Sequence, residues 1–493
     1  MAAVVDNIAA MALLVGDAIR RAALVVPRGL AATQGSGELT FAELDTRANQ
    51  VAVALRNAGV GHRDRLAWWG DTSLDAMPIF AAAAKLGAAF MPVNARLGST
   101  EAAEVLEYAR PRLLVVDAAH ASLAEGWDLP TLDHERLFAA AADAPTADVM
   151  EPALGEEDTH VIFFTSGSTG RSKGVILSNR ASYLRSYGSP LGESDGGSIC
   201  MFPLFHMAGW SMALNAWQMR CAVHLADPDA DTLLSTVERR RATRLYCIPA
   251  VWARVLAADL TRYDLSTLRA ADTGTSATPP ELISAIREAF PQTVTRINYG
   301  STECGPGTVL PHADVLRKAG SVGLPAIGCW VRLSDDGEVC VKSDFLMDGY
   351  FENPEATASA LQDGWYHTGD LGVFDDEGYL SIVGRARDVL RTGGETVAPT
   401  EVEAVLASHP AVNEVAVVGL PDAQWGEIVC AVVVLRSGDE NGLELESLRT
   451  HCEGRLASFK HPRRLEIVEA LPRTPATGQI QRTLLVERIL SRG

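Results

Sequence analysis

The first three hundred residues alternate between short apolar runs and alanine-rich amphipathic stretches. In LTFAELDTRANQVAVALRNAGV (39–60) apolar residues recur at helical spacing and the chain then reaches glycine, which predicts a helix. RLAWW (65–69) and AAFMPV (88–93) are typical of buried strands, and MPIFAAAAKLG (77–87) between them is typical of a helix. Strands and helices in alternation predict parallel sheets joined by crossover helices.

The pattern changes after about residue 320. GEVCVKS (337–343) and GYLSIVGR (378–385) are short strands beside Asp-Gly and Glu-Gly turns, which predict a small β-rich subdomain. A new pattern begins near residue 388, where a predicted helix, TEVEAVLASHP (400–410), precedes strands such as IVCAVVVL (428–435). We therefore predict an α/β fold, with a large N-terminal domain of sheets flanked by helices, its β-rich subdomain, and a compact α+β C-terminal domain.

Composition narrows the function classes. The 493 residues suffice for two or three domains, and the net charge of −19 argues against non-specific binding to nucleic acid, because phosphate is repelled. The eight cysteines form no Cys-x-x-Cys pair, so we expect reduced, mostly buried thiols in a cytoplasmic protein. The apolar N-terminus is interrupted by Asp6 and Asp17, which argues against a signal peptide, and we expect no integral membrane segment.

The strongest local motif is TSGSTGRSKG (165–174), which follows an apolar strand. Its glycines let the backbone approach a ligand, and its hydroxyls, backbone N–H groups and Lys173 can surround phosphate oxygens. The motif lacks the spacing of a Walker A loop. Phosphate binding is the favoured interpretation, and a flexible surface turn is the alternative.

Three further motifs are weaker when each is taken singly. NYGSTECG (298–305) offers Tyr299 as an aromatic face for a nucleobase and Thr302 and Glu303 as oxygen ligands for Mg²⁺ with phosphate. In WYHTGD (365–370), Asp370 could accept hydrogen bonds from two ribose hydroxyls. GRARD (384–388) leads into RTGGETVAPTEVE (391–403). Each of the three could instead be a structural turn or a helix cap.

In this order and spacing, the four motifs resemble the adenylate-forming superfamily of acyl-CoA synthetases, peptide-synthetase adenylation domains and firefly-type luciferases. The resemblance also covers MPVNARL (91–97), FPLFHMAG (202–209), DTGTSATP (272–279) and SFKHPRR (458–464). It implies that ATP activates a carboxylic acid as acyl-AMP and that a thiol then displaces AMP, with ATP, Mg²⁺ and coenzyme A as cofactors. It also implies an N-terminal domain over 1–387 and a mobile C-terminal domain over 388–493, rotating about a hinge near Asp388.

The same resemblance assigns roles by position. Tyr299 is expected to stack on adenine, Thr302 to contact the α-phosphate and Glu303 to hold Mg²⁺. His206 is expected to line the acyl pocket, where it either lies near the substrate carboxylate or gates the thiol; a packed histidine without a role is the alternative. The implied ATP-binding residues are Thr165, Ser166, Gly167, Ser168, Thr169, Gly170, Lys173, Gly274, Thr275, Ser276, Asn298, Tyr299, Gly300, Ser301, Thr302, Asp370 and Arg385. The implied coenzyme A contacts are Gly393, Gly394 and Lys460.

Two segments depart from the family pattern. The usual Gly-Gly-Ala is replaced by Gly274, Thr275 and Ser276, and the tail pattern Pro-Arg-Thr-x-x-x-Gly-Lys carries Gln479 in place of the lysine. In the family that lysine bridges the carboxylate and the α-phosphate as negative charge develops. By analogy with an oxyanion donor, its loss costs about 2.7–4 kcal/mol, or roughly 10²–10³ in rate.

The sequence therefore predicts an ATP-dependent carboxylic acid–CoA ligase for fatty or aryl acids, with impaired adenylation. Three origins of Gln479 stay open: an introduced substitution, a natural variant with slow adenylation, or a protein that only binds. The alternative functions are an acyl-AMP ligase that loads a carrier protein and a non-catalytic nucleotide- or acyl-CoA-binding protein. The expected partners are a small carboxylic acid, ATP and coenzyme A, and family habit makes a homodimer an open alternative.

Overall fold

A computed structural model describes residues 12–165, 172–187, 196–393, 395–436, 442–473 and 479–492. The helices described are α1 (Val15–Val25), α2 (Phe41–Asn57), α3 (Ala76–Leu86), α4 (Ser99–Ala109), α5 (Ala118–Ala121), α6 (His134–Ala141), α7 (Asn179–Arg185), α8 (Met207–Gln218), α9 (Ala230–Arg240), α10 (Pro249–Ala257), α11 (Pro280–Ala289), α12 (Pro354–Ala360), α13 (Pro399–Leu406), α14 (Leu445–Cys452) and α15 (Arg482–Leu490).

The strands of the first half are β1 (Leu30–Gln34), β2 (Gly37–Thr40), β3 (Arg65–Trp69), β4 (Ala89–Val93), β5 (Leu113–Val116), β6 (Thr131–Asp133), β7 (Thr159–Thr165), β8 (Lys173–Ser178), β9 (Ser198–Cys200), β10 (Val223–Leu225), β11 (Arg244–Tyr246) and β12 (Ala270–Gly274). Those of the second half are β13 (Ile297–Ser301), β14 (Gly305–Leu310), β15 (Leu324–Pro325), β16 (Cys329–Leu333), β17 (Glu338–Ser343), β18 (Gly349–Tyr350), β19 (Leu361–Gln362), β20 (Trp365–Phe374), β21 (Leu380–Arg385), β22 (Leu390–Thr392), β23 (Glu395–Val397), β24 (Val412–Asp422), β25 (Gly426–Leu435) and β26 (Arg464–Ile467).

The chain separates into two compact units. The first comprises Met1–Gly320, Pro325–Trp330 and Lys342–Tyr366, and the second comprises Ser321–Leu324, Val331–Val341 and His367–Gly493. The division differs from the predicted boundary at 387/388 because parts of the β-rich subdomain belong to the second unit. The hinge near Asp388 stays a prediction.

Two large sheets contain every strand described in the first half, β1 to β12. One has nine strands in the order β15-β14-β13-β12-β11-β9-β10-β1-β2, and the other has seven in the order β18-β8-β7-β4-β3-β5-β6. Neighbouring strands run parallel from β1 through β10, β9 and β11 to β12 and β13, and again from β7 through β4, β3 and β5 to β6. The predicted parallel sheets are thereby confirmed.

Local sequence explains where α2 begins and why α3 is buried. The predicted helix over 39–60 begins two residues later, at Phe41, because Thr40 forms a capping box with Glu43. Every residue of α3 is buried, which matches its alanine-rich composition. Within α3, Phe80 stacks on Trp210 of α8 with ring centroids 3.9 Å apart, so large aromatic residues fill the space that alanine leaves.

The last hundred residues form their own sheet, in the order β23-β22-β25-β24 with β26 pairing with β25. The long antiparallel pair β24–β25 buries valines on both faces, against α13 and α14 on one and α15 on the other. A further sheet has the order β16-β17-β20-β19, with β21 also pairing with β20. The predicted β-rich subdomain and α+β tail are both present. Among the described residues, no helix has the length and apolar character to cross a bilayer.

Candidate functional site

An antiparallel hairpin holds both ends of the predicted phosphate loop. Strand β7 ends at Thr165, β8 begins at Lys173, and these two residues pair directly. The Thr165 hydroxyl donates to the Lys173 carbonyl at 3.4 Å. The intervening loop residues Ser166, Gly167, Ser168, Thr169 and Gly170 lie outside the described residues, so their role stays a prediction.

Tyr350 joins this hairpin to the predicted magnesium carboxylate. Its ring centroid lies 4.9 Å from Nζ of Lys173, and its hydroxyl donates to Oε1 of Glu303 at 3.1 Å. Burial, reinforced by the charge of Glu303, raises the pKa of Tyr350, so its hydroxyl remains a donor. Sequence reasoning missed this residue, although it follows Gly349 and so repeats the aromatic-beside-glycine pattern that singled out Tyr299.

Strand β13 carries Asn298, Tyr299, Gly300 and Ser301. A Cβ at Gly300 would lie 2.0 Å from the Gly305 carbonyl oxygen, so only glycine fits there. The Ser301 hydroxyl accepts a hydrogen bond from the Cys304 N–H at 3.2 Å and closes the turn that presents Thr302 and Glu303. The motif is therefore a strand followed by a tight turn.

A buried arginine fixes the backbone of this turn. Arg185, the last residue of α7, donates from Nη1 to the Thr302 carbonyl at 2.8 Å and from Nη2 to the Phe345 carbonyl. Burial lowers the pKa of Arg185 to about 10, which still leaves it cationic at neutral pH. Sequence reasoning missed Arg185, because an arginine in the last turn of a helix is usually a solvated C-terminal charge.

The altered Gly-Thr-Ser segment is strained. Gly274 pairs with Asn298 of β13, and a Cβ on it would lie 2.2 Å from the Asn298 carbonyl oxygen. Thr275 has φ of +67°, which is uncommon for a β-branched residue. Its hydroxyl is buried and has no hydrogen-bond partner in the described part of the chain. Ser276 is exposed.

His206 caps the N-terminus of α8. Its Nδ1 accepts the N–H of Ala208 at 3.2 Å, and burial lowers the pKa of His206 to about 4. The imidazole is therefore neutral at physiological pH, with its proton on Nε2. The Phe202 ring stacks on His206 at 6.4 Å and meets Tyr246 edge-on at 5.3 Å. The predicted acyl-pocket histidine therefore lies at one end of a row of aromatic rings.

In the second unit, the predicted ribose residues meet across two strands. Asp370 of β20 pairs with Arg385 of β21, and Nε of Arg385 lies 2.7 Å from Oδ1 of Asp370. Asp370 is 7% exposed, so this carboxylate is held in a largely desolvated place. A carboxylate offers two acceptor oxygens, so Asp370 can accept hydroxyl hydrogen bonds beside this ion pair.

The predicted coenzyme A residues also belong to the second unit. Gly393 donates its N–H to the Trp425 carbonyl at 2.9 Å, and a Cβ there would lie 2.8 Å from the Trp425 ring. Gly394 lies outside the described residues. Both carboxylate oxygens of Glu401 accept from Nζ of Lys460, at 2.6 and 2.7 Å.

The tail presents Gln479 at the surface, beside the isolated bridge between Arg473 and Ile480. Three residues further on, Arg482 donates to Oδ2 of Asp388 at 3.3 Å and to both oxygens of Glu403 at 2.7 and 2.9 Å. The predicted hinge residue is thus tied to the start of α15. Sequence reasoning did not foresee this pairing of Arg482.

Comparisons with known proteins agree with this arrangement. The family model of AMP-binding enzymes matches residues 19–351, and that of the AMP-binding enzyme C-terminal domain matches residues 401–477. The chain is 34% identical to a long-chain-fatty-acid–CoA ligase of Mycobacterium tuberculosis, over 96% of this chain and 98% of that protein. It is also 34% identical to a feruloyl-CoA synthase of an Amycolatopsis species, over 93% and 96%.

Solved structures give the same result. An o-succinylbenzoate CoA synthetase from Bacillus subtilis, in complex with its acyl-adenylate intermediate, superposes with a TM-score of 0.86 at 27% identity, over 95% of this chain and 97% of that one. Together with the family matches, this establishes that the chain belongs to the AMP-binding enzyme family, as an adenylate-forming acid–thiol ligase of the acyl-CoA synthetase type.

Proposed function

We propose that this protein is an ATP-dependent carboxylic acid–CoA ligase that acts on a fatty or aryl acid, and that Gln479 slows its adenylation step. The observation that carries the proposal is near-full-length similarity to ligases named for such acids, long-chain fatty acid and ferulate among them. An indoleacetate–CoA ligase of Aromatoleum aromaticum, 34% identical over 90% of this chain, adds a second aryl acid. The eight cysteines, all free thiols, support a reducing, cytoplasmic setting.

In the first half-reaction, a carboxylate oxygen of the acid attacks the α-phosphorus of ATP, and pyrophosphate leaves. Thr165 and Lys173 bind phosphate oxygens, Tyr299 stacks on adenine, and Asp370 accepts the ribose hydroxyls. The Thr302 hydroxyl contacts the α-phosphate from a turn that Arg185 fixes through the Thr302 carbonyl. The protein thus contributes mainly positioning and charge.

Glu303 fits Mg²⁺, because a half-buried carboxylate held at one oxygen by Tyr350 is a pre-oriented, hard oxygen ligand. When bound, the ion neutralises charge on the phosphate oxygens.

In the second half-reaction, the deprotonated sulfur (thiolate) of coenzyme A attacks the acyl carbon of acyl-AMP, and AMP leaves with the electron pair of the broken acyl–oxygen bond. We assign the pantetheine path to Gly393 and Gly394, and an outer coenzyme A contact to Lys460. The neutral His206, with its proton on Nε2, can donate a hydrogen bond to the acyl carbonyl in either half-reaction. Rotation of residues 388–493 about Asp388 would replace the groups that serve adenylation with those that serve thioester formation.

Glutamine at position 479 supplies a hydrogen-bond donor without a charge. Negative charge develops between the carboxylate and the α-phosphate during adenylation. The absence of the lysine charge should therefore slow adenylation more than it weakens substrate binding in the ground state. Thioester formation from supplied acyl-AMP should be spared, because this step does not require the tail cation.

The test is ATP–pyrophosphate exchange with a panel of fatty and aryl acids, comparing the protein with Gln479→Lys. Restoring the cation should raise exchange by roughly 10²-fold or more for the preferred acid. Gln481→Lys is the matched control, because it adds the same charge two residues away and should leave exchange unchanged.

The two alternatives give different outcomes. A carrier-protein ligase would show exchange with Gln479→Lys and no thioester with coenzyme A. A non-catalytic binding protein would show neither exchange nor thiol transfer from supplied acyl-AMP in any variant, and that result would overturn the proposal.

A further inference from the structure

The strand that presents Asp370 has an irregular backbone at this point. Gly369 has φ of +72° within β20, and the register with β21 shifts between Leu371 and Gly372. A strand with such a break does not orient the next side chain by pleating alone. Other contacts must therefore hold residues 367–370, which we call the ribose segment.

Glu338, the first residue of β17, supplies those contacts. Its Oε1 accepts the Gly369 N–H at 2.7 Å, and its Oε2 lies 2.9 Å from Nδ1 of His367. Both oxygens of one carboxylate therefore bind the ribose segment, on either side of Thr368. Hydrogen bonds to an ionised carboxylate are stronger than neutral ones, and two of them from neighbouring residues fix a direction as well as a distance.

Thr368 completes the arrangement from within the segment. Its hydroxyl donates to the Val339 carbonyl at 2.8 Å and accepts the Asp370 N–H at 3.0 Å. The hydroxyl thus ties the backbone of Asp370 to β17. His367 and Gly369 therefore bind Glu338 directly, and Thr368 binds its neighbour Val339. Asp370 is joined to Val339 through the Thr368 hydroxyl.

The same place contains a mixed set of metal-ligand types. Glu338, Cys340 and His367 offer ligand atoms that lie within 4.8 Å of one another. However, both Glu338 oxygens already accept hydrogen bonds of ordinary length, and burial raises the pKa of the Cys340 thiol, which opposes the thiolate that a metal needs. The contacts are accounted for by a network that shapes the ribose segment.

We propose that Glu338 is a positioning residue for nucleotide binding, which holds the ribose segment so that the Asp370 carboxylate meets the ribose hydroxyls. The inference rests on the proposed ribose role of Asp370 and adds a residue to it. Glu338 itself touches no nucleotide atom in this scheme. Its effect should therefore appear only when the ligand has ribose hydroxyls to offer.

The experiment compares dissociation constants of ATP and 2′,3′-dideoxy-ATP on the full-length protein. Glu338→Ala should weaken ATP binding about tenfold, the equivalent of one hydrogen bond with a charged group, and leave dideoxy-ATP unchanged. Asp370→Asn should show the same selectivity, and the double variant should lose no more than Asp370→Asn alone. Glu338→Gln keeps an acceptor for Gly369 and should recover most of the ATP affinity.

The control is Asp376→Ala, an exposed carboxylate just beyond β20, which should change neither constant. If Glu338→Ala does not fold, Thr368→Val takes its place, since it removes the hydroxyl between β17 and Asp370 at nearly constant volume. If Asp370→Asn discriminates the two nucleotides and Glu338→Ala or Thr368→Val does not, the positioning role is wrong. If no variant discriminates them, the ribose role of Asp370 is wrong as well.

Discussion

The hydroxyl of Tyr350 donates a hydrogen bond to the carboxylate of Glu303, and the same ring lies under the ammonium of Lys173. One side chain thereby contacts two groups that sequence motifs had assigned separately, one to phosphate and the other to Mg²⁺. The shared contact links the β7–β8 hairpin to a turn that is distant from it in sequence. It also yields the first prediction.

Tyr350→Phe should lower the free energy of unfolding by about 1–2 kcal/mol, because it removes a hydrogen bond to a carboxylate and keeps the ring. Tyr350→Leu should lose a further ~0.5–1 kcal/mol, since the ring no longer attracts Lys173. Urea denaturation measures both. In a Lys173→Ala background the difference between Phe and Leu should shrink by the cation–ring contribution, and an undiminished difference would exclude it.

Acid should destabilise the protein through its buried histidines. Burial lowers the pKa of His160 to about 3 and the pKa values of His206 and His224 to about 4, below the value of about 6.5 for an unfolded chain. The unfolded state therefore binds more protons than the folded state below pH 6.5. Stability falls with decreasing pH, by up to ~1.4 kcal/mol per pH unit for each histidine, until the folded pKa is reached.

His160→Phe tests this directly. The His160 ring meets Phe80 edge-on at 5.0 Å, and its Nε2 is buried without a partner in the described part of the chain. Its Nδ1 lies 3.0 Å from the Ser182 hydroxyl, so phenylalanine can take the place of the ring but orphans this one hydroxyl. Between pH 6 and 5 the variant should lose about 1 kcal/mol less than the parent protein.

His224→Phe provides the contrast. His224 hydrogen-bonds to Thr33 and to Gly196, so its replacement leaves two partners without a hydrogen bond. The free energy of unfolding of His224→Phe should be lower than that of the parent protein by about 1–3 kcal/mol at every pH. It should also depend less steeply on pH. Parallel pH curves for the parent protein and both variants would refute the role of buried histidines.

The ion-pair network at the predicted hinge should contribute more to the free energy of unfolding than a comparable surface pair. Arg482 has a 21% exposed side chain and contacts Asp388 and Glu403, so Arg482→Met removes the arginine charge from two half-buried carboxylates. We expect a loss of about 2–3 kcal/mol in unfolding free energy.

Arg473→Met is the matched control for this experiment. Arg473 contacts Glu414 at 2.6 Å, but both side chains are more than 40% exposed, so its loss should stay below about 1 kcal/mol. Equal losses for the two variants would show that the Arg482 network contributes no more than a surface pair.

Relieving the strain at Thr275 should stabilise the fold. Glycine adopts φ of +67° freely, and Thr275→Gly also removes a buried hydroxyl without a partner in the described residues. The gain should be about 1 kcal/mol after the entropy cost of glycine is subtracted. Asp363→Gly, at an exposed residue with φ of +52°, relieves only the backbone and should gain less. Loss of stability at Thr275→Gly would mean that the side chain makes a contact worth more than the strain.

Much of the architecture could be predicted from local pattern. Three such features are the helical spacing of apolar residues, the capping pair Thr40 and Glu43, and the strand RLAWW. Each depends on residues close together in sequence, so each can be predicted from the local sequence. The pairing of Thr165 with Lys173 follows similarly, because the two strands are joined by one short loop. The division of the β-rich region between two units could not be predicted, since it depends on contacts between distant segments.

By itself, the sequence determined which chemical groups the site can offer: hydroxyls and glycines around Lys173, a carboxylate at Glu303, and an uncharged amide at Gln479. The tertiary structure alone decided how these groups are held. Arg185 reaches the Thr302 carbonyl across 117 residues and Tyr350 reaches Glu303 across 47, while Glu338 binds a segment about thirty residues away. Strand order and burial determine these partners. A buried polar group needs a hydrogen bond, and the fold decides which donor or acceptor lies close enough to form it.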